Sequence, residues 1–172
     1  MGMKLYCFGE SGHSYKAALA LELAGCDWAP VFVDFFAGET RSDAYRADIN
    51  IMGEVPVLVD GDLTLTQSGR IQAYIAEKTE QHGGATDAEK GEVLRWILWD
   101  NSKFSTPIGI TRFLMNFIPE AKRPQQVIEF NQARLKANYK ILNAALEGRD
   151  FLVGDAITHA VQTCCGYLYY PE

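Results

Sequence analysis

Residues 55–66, VPVLVDGDLTLT, carry the strongest local constraint in the chain. Two alternating apolar runs flank Asp60-Gly61, a dipeptide that favours the left-handed backbone of a type I′ turn. The stretch predicts a β-hairpin, an antiparallel pair that any fold of this chain must accommodate. Around it the periodicities alternate. Residues 3–8, MKLYCF, read as a short buried strand, and residues 29–36, APVFVDFF, as a second. Residues 14–25 between them read as a helix, with Ala17, Ala18, Leu21 and Ala24 at helical spacing and Gly25 as its stop. Residues 38–50 are polar with weak helical character. Residues 68–78, SGRIQAYIAEK, predict a helix carrying Ile71, Tyr74 and Ile75 on one face.

The order β-α-β-α-β-β-α over the first 79 residues is an α/β sandwich pattern of thioredoxin type. Residues 80–87, EQHGGATD, have the composition of a linker. Beyond it the strand signal vanishes. Residues 88–117 and 123–147 are long helical patterns interrupted by Pro119 and Pro124, and FLVGDAITHAVQTCCGYLYY, 151–170, begins another helix. The expected organisation is an α/β domain over 1–79, a linker over 80–87, and an all-helical domain over 88–172.

Bulk properties narrow the chemistry. The 172 residues carry a net charge of −6 with no basic stripe, which argues against a nucleic-acid partner. No apolar run reaches the length of a membrane span. The start, MGMKLYCF, runs straight into a strand pattern and does not read as a signal peptide. Cys7, Cys26, Cys164 and Cys165 form no metal spacing with the three histidines. They read as free thiols of a reducing compartment, so no metal and a cytoplasmic location are expected.

Three stretches could carry function. In ESGHSYKA, 10–17, two serines and a histidine occupy the turn between a strand and a helix. A helix start presents unpaired N–H groups and a positive dipole end, where a hydroxyl can also serve an anion. Ser14 reads as the helix cap there, and Ser11 is less readily explained by capping. In GEVPVL, 53–58, Pro56 enters an apolar strand, which suits a strand start or a cis bond. Val55 would then offer its backbone to an added peptide strand. In TQSGRI, 66–71, Ser68 stands at a helix start, either as a cap or as part of a carboxylate site.

Taken in order, these stretches resemble the cytosolic glutathione S-transferase family over almost the whole chain. SGHSYKAALALELAG is similar to the S-x-x-S/C-x-(K/R)-V-x-x-A-L element of its serine-type (theta, zeta and phi-like) classes. INIMGEVPVLVDGDLTLTQSGRIQAYIAEK is similar to its N-P-x-G-x-V-P-x-L run, with Gln67-Ser68 at the (E/Q)-S position. FLVGDAIT resembles the start of its core helix. The resemblance implies a thioredoxin-like domain joined to a helical one, with glutathione as co-substrate. Ser11 falls on the catalytic serine, with Ser14 as second choice. Val55 and Pro56 would meet the cysteinyl part of glutathione, Gln67 and Ser68 the γ-glutamyl end, with Glu54, Asn50 and His13 nearby. Phe104, Phe113, Phe117 and Met115 are the expected lining for a small hydrophobic electrophile, the second partner. A homodimer follows from the resemblance alone.

The chain also departs from the family pattern. Ile51 stands where the family has proline, and Arg70 replaces a small or apolar residue. Val161 replaces the aspartate of the capping box after Thr158. The chain stops at YLYYPE, about two helices short of the family pattern, so an incomplete helical domain is expected. The expected activity is glutathione conjugation. Zeta-type isomerisation and a non-catalytic binding or assembly module are the alternatives.

Overall fold

The computed structural model describes residues 2–169. The chain divides into two compact units, one ending at Gly83 and the next beginning at Gly84. In the first, β1 (Met3–Cys7), β2 (Trp28–Phe32), β3 (Val57–Asp60) and β4 (Leu63–Thr66) form one sheet in the order β2-β1-β3-β4. β1 pairs parallel with β2 and antiparallel with β3, and β3 pairs antiparallel with β4. Pro30 sits in β2, an edge strand, where its missing N–H can face away from the ladder.

Three helices accompany this sheet: α1 (Gly12–Leu23), α2 (Asp43–Asp48) and α3 (Ser68–Thr79). α1 and α3 share a core with one face of the sheet. Ala17, Ala20, Leu21, Ile71 and Ile75 pack with Met3, Leu5, Leu58 and Leu65. The alanines let α1 approach closely, and strand alternation turns Val57 to the opposite face. The hairpin forms one residue later than Asp60-Gly61 suggests. Asp60 pairs with Leu63, so the two-residue loop is Gly61-Asp62, with Gly61 at φ 59°. Asp60 is kept in the strand, and its carboxylate accepts from Tyr74 Oη and Lys78 Nζ on α3, both at 2.6 Å.

The second unit is helical: α4 (Asp87–Trp99), α5 (Ser105–Asn116), α6 (Gln125–Leu146) and α7 (His159–Cys164). α4 opens on a capping box: Thr86 Oγ1 accepts from Glu89 N, and the Glu89 carboxylate accepts from Thr86 N. The single helix expected over 88–117 is broken by a π-helical turn, Asp100–Phe104. Pro107 supplies a physical reason, because it cannot donate to the carbonyl of Lys103 four residues back. The Asn138 side-chain amide on α6 donates to that carbonyl instead. Within the same turn Asp100 is fully buried, and its carboxylate accepts from Ser105 Oγ at 2.7 Å and from Thr163 Oγ1 of α7 at 2.9 Å. Val93, Trp96, Ile97, Ile108, Leu142 and Ala160 belong to the surrounding core.

Thr158 takes the N-cap position of α7 as the sequence suggests, but its side chain makes no capping bond and its hydroxyl is buried without a partner. Val161, in place of an acid, offers nothing to close the box. Among the described residues no helix is long and apolar enough to cross a membrane.

Asn138→Leu should lower the stability of the chain by roughly 1–3 kcal/mol, since a buried carbonyl loses its donor. Urea denaturation of the two proteins measures the difference.

Candidate functional site

The sheet register gathers the three sequence stretches at one end of the first unit. Tyr6 near the end of β1 lies opposite Val57 at the start of β3, and Val57 lies opposite Thr66 at the end of β4. The chain therefore leaves β1 toward Ser11, enters β3 from Val55-Pro56, and leaves β4 into Gln67-Ser68, all on the same side.

At the first of these points, Ser11 is the N-cap of α1. Its backbone is extended (φ −86°, ψ 107°), and its Oγ accepts from Ser14 N at 3.1 Å. This corrects the assignment of the cap to Ser14. The helix begins at Gly12, two residues earlier than its apolar spacing suggests, so Ser14 falls inside the first turn. Both serines are buried, and the Ser14 hydroxyl has no hydrogen-bond partner among the described residues. Ser11 uses its oxygen as the cap acceptor, which leaves its hydroxyl hydrogen available to donate.

At the second point, the Val55–Pro56 peptide is cis. Val55 precedes β3 and stands outside its ladder. The loop before it is tied down through one carbonyl, Glu54 O, which accepts from Tyr45 Oη at 3.0 Å and Asn50 Nδ2 at 2.9 Å. Burial, then Glu39 and Tyr6, push the Tyr45 phenol up to about 12, so it remains a donor at neutral pH. Asn50 also accepts from Met52 N at 3.0 Å. Asn50 thus orders the loop and is itself 5% exposed. Ile51 is exposed and Gly53 makes the turn at φ 67°, where a Cβ would meet Thr40 O at 2.7 Å.

At the third point, Gln67 has φ 69° and ψ 119°, a strained backbone for a residue with a side chain. It caps α3 with no side-chain bond, so the first N–H groups of a twelve-residue helix lack a side-chain cap. Its amide Nε2 donates to Glu54 Oε2 at 2.9 Å, joining the second and third points. Ser68 is buried and meets His13 Nδ1 at 3.3 Å, joining the third point to the first. Arg70 is exposed and pairs with Glu77 at 3.8 Å.

Lys16, which the motif reading passed over as part of a helix pattern, is fully buried, with Nζ 3.5 Å from His13 Nδ1. Its signal was present in the sequence: position 16 shares the inward stripe of Ala17, Ala20 and Leu21, where a lysine is out of place. Burial, then the charge of Lys16, lower the His13 imidazole to about 3.

The second unit holds the other candidates. Phe104 is fully buried, stacked on Trp99 with ring centroids 5.5 Å apart and edge-on to Tyr139 at 5.0 Å. It fills the core and presents no surface to a ligand, which corrects its place among the lining residues. Phe113 and Phe117 are exposed, with ring centroids 5.9 Å apart, and Met115 is exposed as well. Among the described residues no three His, Cys, Asp or Glu side chains gather as a metal cluster.

Residues 1–77 match the family model of the glutathione S-transferase N-terminal domain. The chain is 31% identical over 153 residues to glutathione S-transferase F10 of Arabidopsis thaliana, covering 86% of this chain and 71% of that protein. It superposes with a TM-score of 0.87 on a crystal structure of a glutathione S-transferase from Xanthobacter autotrophicus, at 27% identity, over 97% of this chain and 81% of that one. A further superposition, TM-score 0.82 at 29% identity over 96% of this chain and 81% of the other, is with glutathione S-transferase-I bound to lactoylglutathione.

Two outcomes follow from this geometry. Ser11→Ala should lose about 0.5–2 kcal/mol of stability as a removed cap, while Ser14→Ala, whose hydroxyl is unpaired, should lose nothing; thermal unfolding of both variants checks the pair. His13 stays neutral when folded but protonates near its ordinary 6.5 when unfolded, so stability held above that pH is lost as pH falls toward about 3. His13→Asn should flatten the acid dependence between these limits by about 1.4 kcal/mol per pH unit, read from urea unfolding at several pH values.

Proposed function

Because the chain belongs to the glutathione S-transferase family, a family of transferases, we propose that its first unit binds glutathione and that Ser11 stabilises the thiolate for attack on a small hydrophobic electrophile. The observation that carries this reading is the state of the Ser11 hydroxyl. Its oxygen is engaged as a cap acceptor, and its hydrogen is left to donate toward an anion at the positive end of α1.

The magnitudes suffice. A free thiol titrates near ~8.5, and lowering it by about two units needs roughly 2.7 kcal/mol. A hydrogen bond to a charged group gives about 1.5–3 kcal/mol, and a helix N-terminus roughly 0.3–1 kcal/mol more. Neither a metal nor a general base is required by this arithmetic. The thiolate then attacks the electrophile, forming a carbon–sulfur bond as the leaving group departs.

Val55, outside the ladder beside Pro56, offers its backbone to the cysteinyl part, in the manner of an added strand. Gln67, Ser68 and the uncapped N–H groups of α3 take the γ-glutamyl carboxylate. Glu54, Asn50 and His13 hold these groups in place through the contacts already described. A relative of this fold carries lactoylglutathione, itself a glutathione thioester, which supports the choice of ligand. The same reading carries a detoxifying role in the cytoplasm and a homodimer, for which the free cysteines and the family resemblance are the support.

Glutathione titration and conjugation of a generic aryl halide test the proposal. Ser11→Ala should lower turnover roughly 10- to 100-fold, the loss of one charged hydrogen bond, while Ser14→Ala leaves it unchanged. No binding at millimolar glutathione would sink the reading, and a turnover lost with Ser14 but kept without Ser11 would move the role to the other serine.

A further inference from the structure

Among the described residues Lys16 heads the fully buried side chains by size, and it is a charged one in the first unit. Its ammonium lies 3.5 Å from His13 Nδ1, and that same nitrogen lies 3.3 Å from Ser68 Oγ. One acceptor position thus faces two donors, one on α1 and one at the start of α3. An ammonium has hydrogens to give and no lone pair to receive one. An Nδ1–H pointed at it would be repelled, so Nδ1 must turn its lone pair toward Lys16 and carry the imidazole proton on Nε2. The neutral state of His13 permits this, and both burial and the Lys16 charge maintain it.

We propose that Lys16 and His13 are a positioning pair for Ser68, which hold its hydroxyl before the ligand arrives and replace its hydrogen bond when the ligand takes it. Before binding, the Ser68 hydroxyl donates to His13 Nδ1, and this fixes Oγ at the start of α3. When a carboxylate arrives, the hydroxyl hydrogen rotates from His13 to the anion. His13 Nδ1 then loses the bond that Ser68 gave it, an unfavourable change at a buried acceptor. The Lys16 ammonium, already at the edge of hydrogen-bond reach, takes over that nitrogen. No proton changes owner: one hydroxyl hydrogen reorients, and Lys16 and His13 keep their protonation states. The pair also places a buried positive charge behind the carboxylate subsite. This inference rests on the reading that Ser68 meets the γ-glutamyl end of glutathione.

The test uses imidazole nitrogen-15 NMR and steady-state kinetics on the full chain. In the wild type, His13 should give the signature of the Nε2–H tautomer with and without glutathione, near neutral pH. Lys16→Met should raise the KM for glutathione roughly 10- to 100-fold, the loss of one hydrogen bond from a charged donor, while kcat holds, and it should admit the Nδ1–H tautomer. Lys16→Arg should restore both. An Nδ1–H or doubly protonated His13 in a wild type that still binds glutathione overturns the pair alone. So does a Lys16→Met protein that loses kcat instead of gaining KM. Failure of the wild type to bind millimolar glutathione overturns the functional reading and the pair together. If Lys16→Met does not fold, the wild-type tautomer measurement decides.

Discussion

Three residues side by side across the sheet, Tyr6, Val57 and Thr66, set everything else in the first unit. Their pairing is ordinary antiparallel ladder, but its register decides where three chain segments end. A slip of one residue would invert every side chain of β3, moving Leu58 out of the core beneath α1 and α3. The buried face therefore locks the register, and the register delivers Ser11, Val55 and Gln67-Ser68 to one side. The local ties only refine that placement: Gln67 to Glu54, His13 to Ser68, and Tyr45 with Asn50 to a shared carbonyl. The placement of these residues depends on a long-range hydrophobic constraint first and on hydrogen bonds second.

The second unit solves a different problem. Pro107 interrupts a helix that the core of this unit needs on both sides of it. The chain answers with a π-helical turn, and the carbonyl freed at Lys103 is met from α6. In the same turn a buried carboxylate, Asp100, is reached by hydroxyls of α5 and α7. Three helices are thus joined at the π-helical turn, where regular backbone bonding fails. Burying a carboxylate is unfavourable unless it is satisfied, so this junction specifies which helices meet as well as holding them.

The strand and helix order of the first unit was legible because each element carries its own period and its own stop. The hairpin was legible too, but its loop was placed one residue early. Asp60-Gly61 is a strong turn dipeptide, and only the tertiary pull of Tyr74 and Lys78 on Asp60 keeps that residue in the strand. The cap on α1 was misplaced for a related reason. Apolar spacing locates the buried stripe of a helix but not its first turn, which Gly12 and Ser14 occupy without contributing to that stripe. The π turn went unread although Pro107 stands inside the expected helix, and its answering donor, Asn138, lies thirty-five residues away. Phe104 shows the limit of reading aromatics by spacing: exposure depends on what lies opposite, here Trp99 and Tyr139. Lys16 could have been found from its position on an apolar stripe, whereas its partner nitrogen could not.

Gln67 bears on how such a chain can change. Its backbone occupies a region that glycine enters freely and glutamine does not. Selection for thermal robustness alone would favour glycine at this joint between hairpin and helix. Glycine would also remove the amide that reaches Glu54 and ties the hairpin exit to the loop before β3. The position therefore sets ease of backbone against a bond between two segments of the chain, and the glutamine found there keeps the bond at the expense of the backbone.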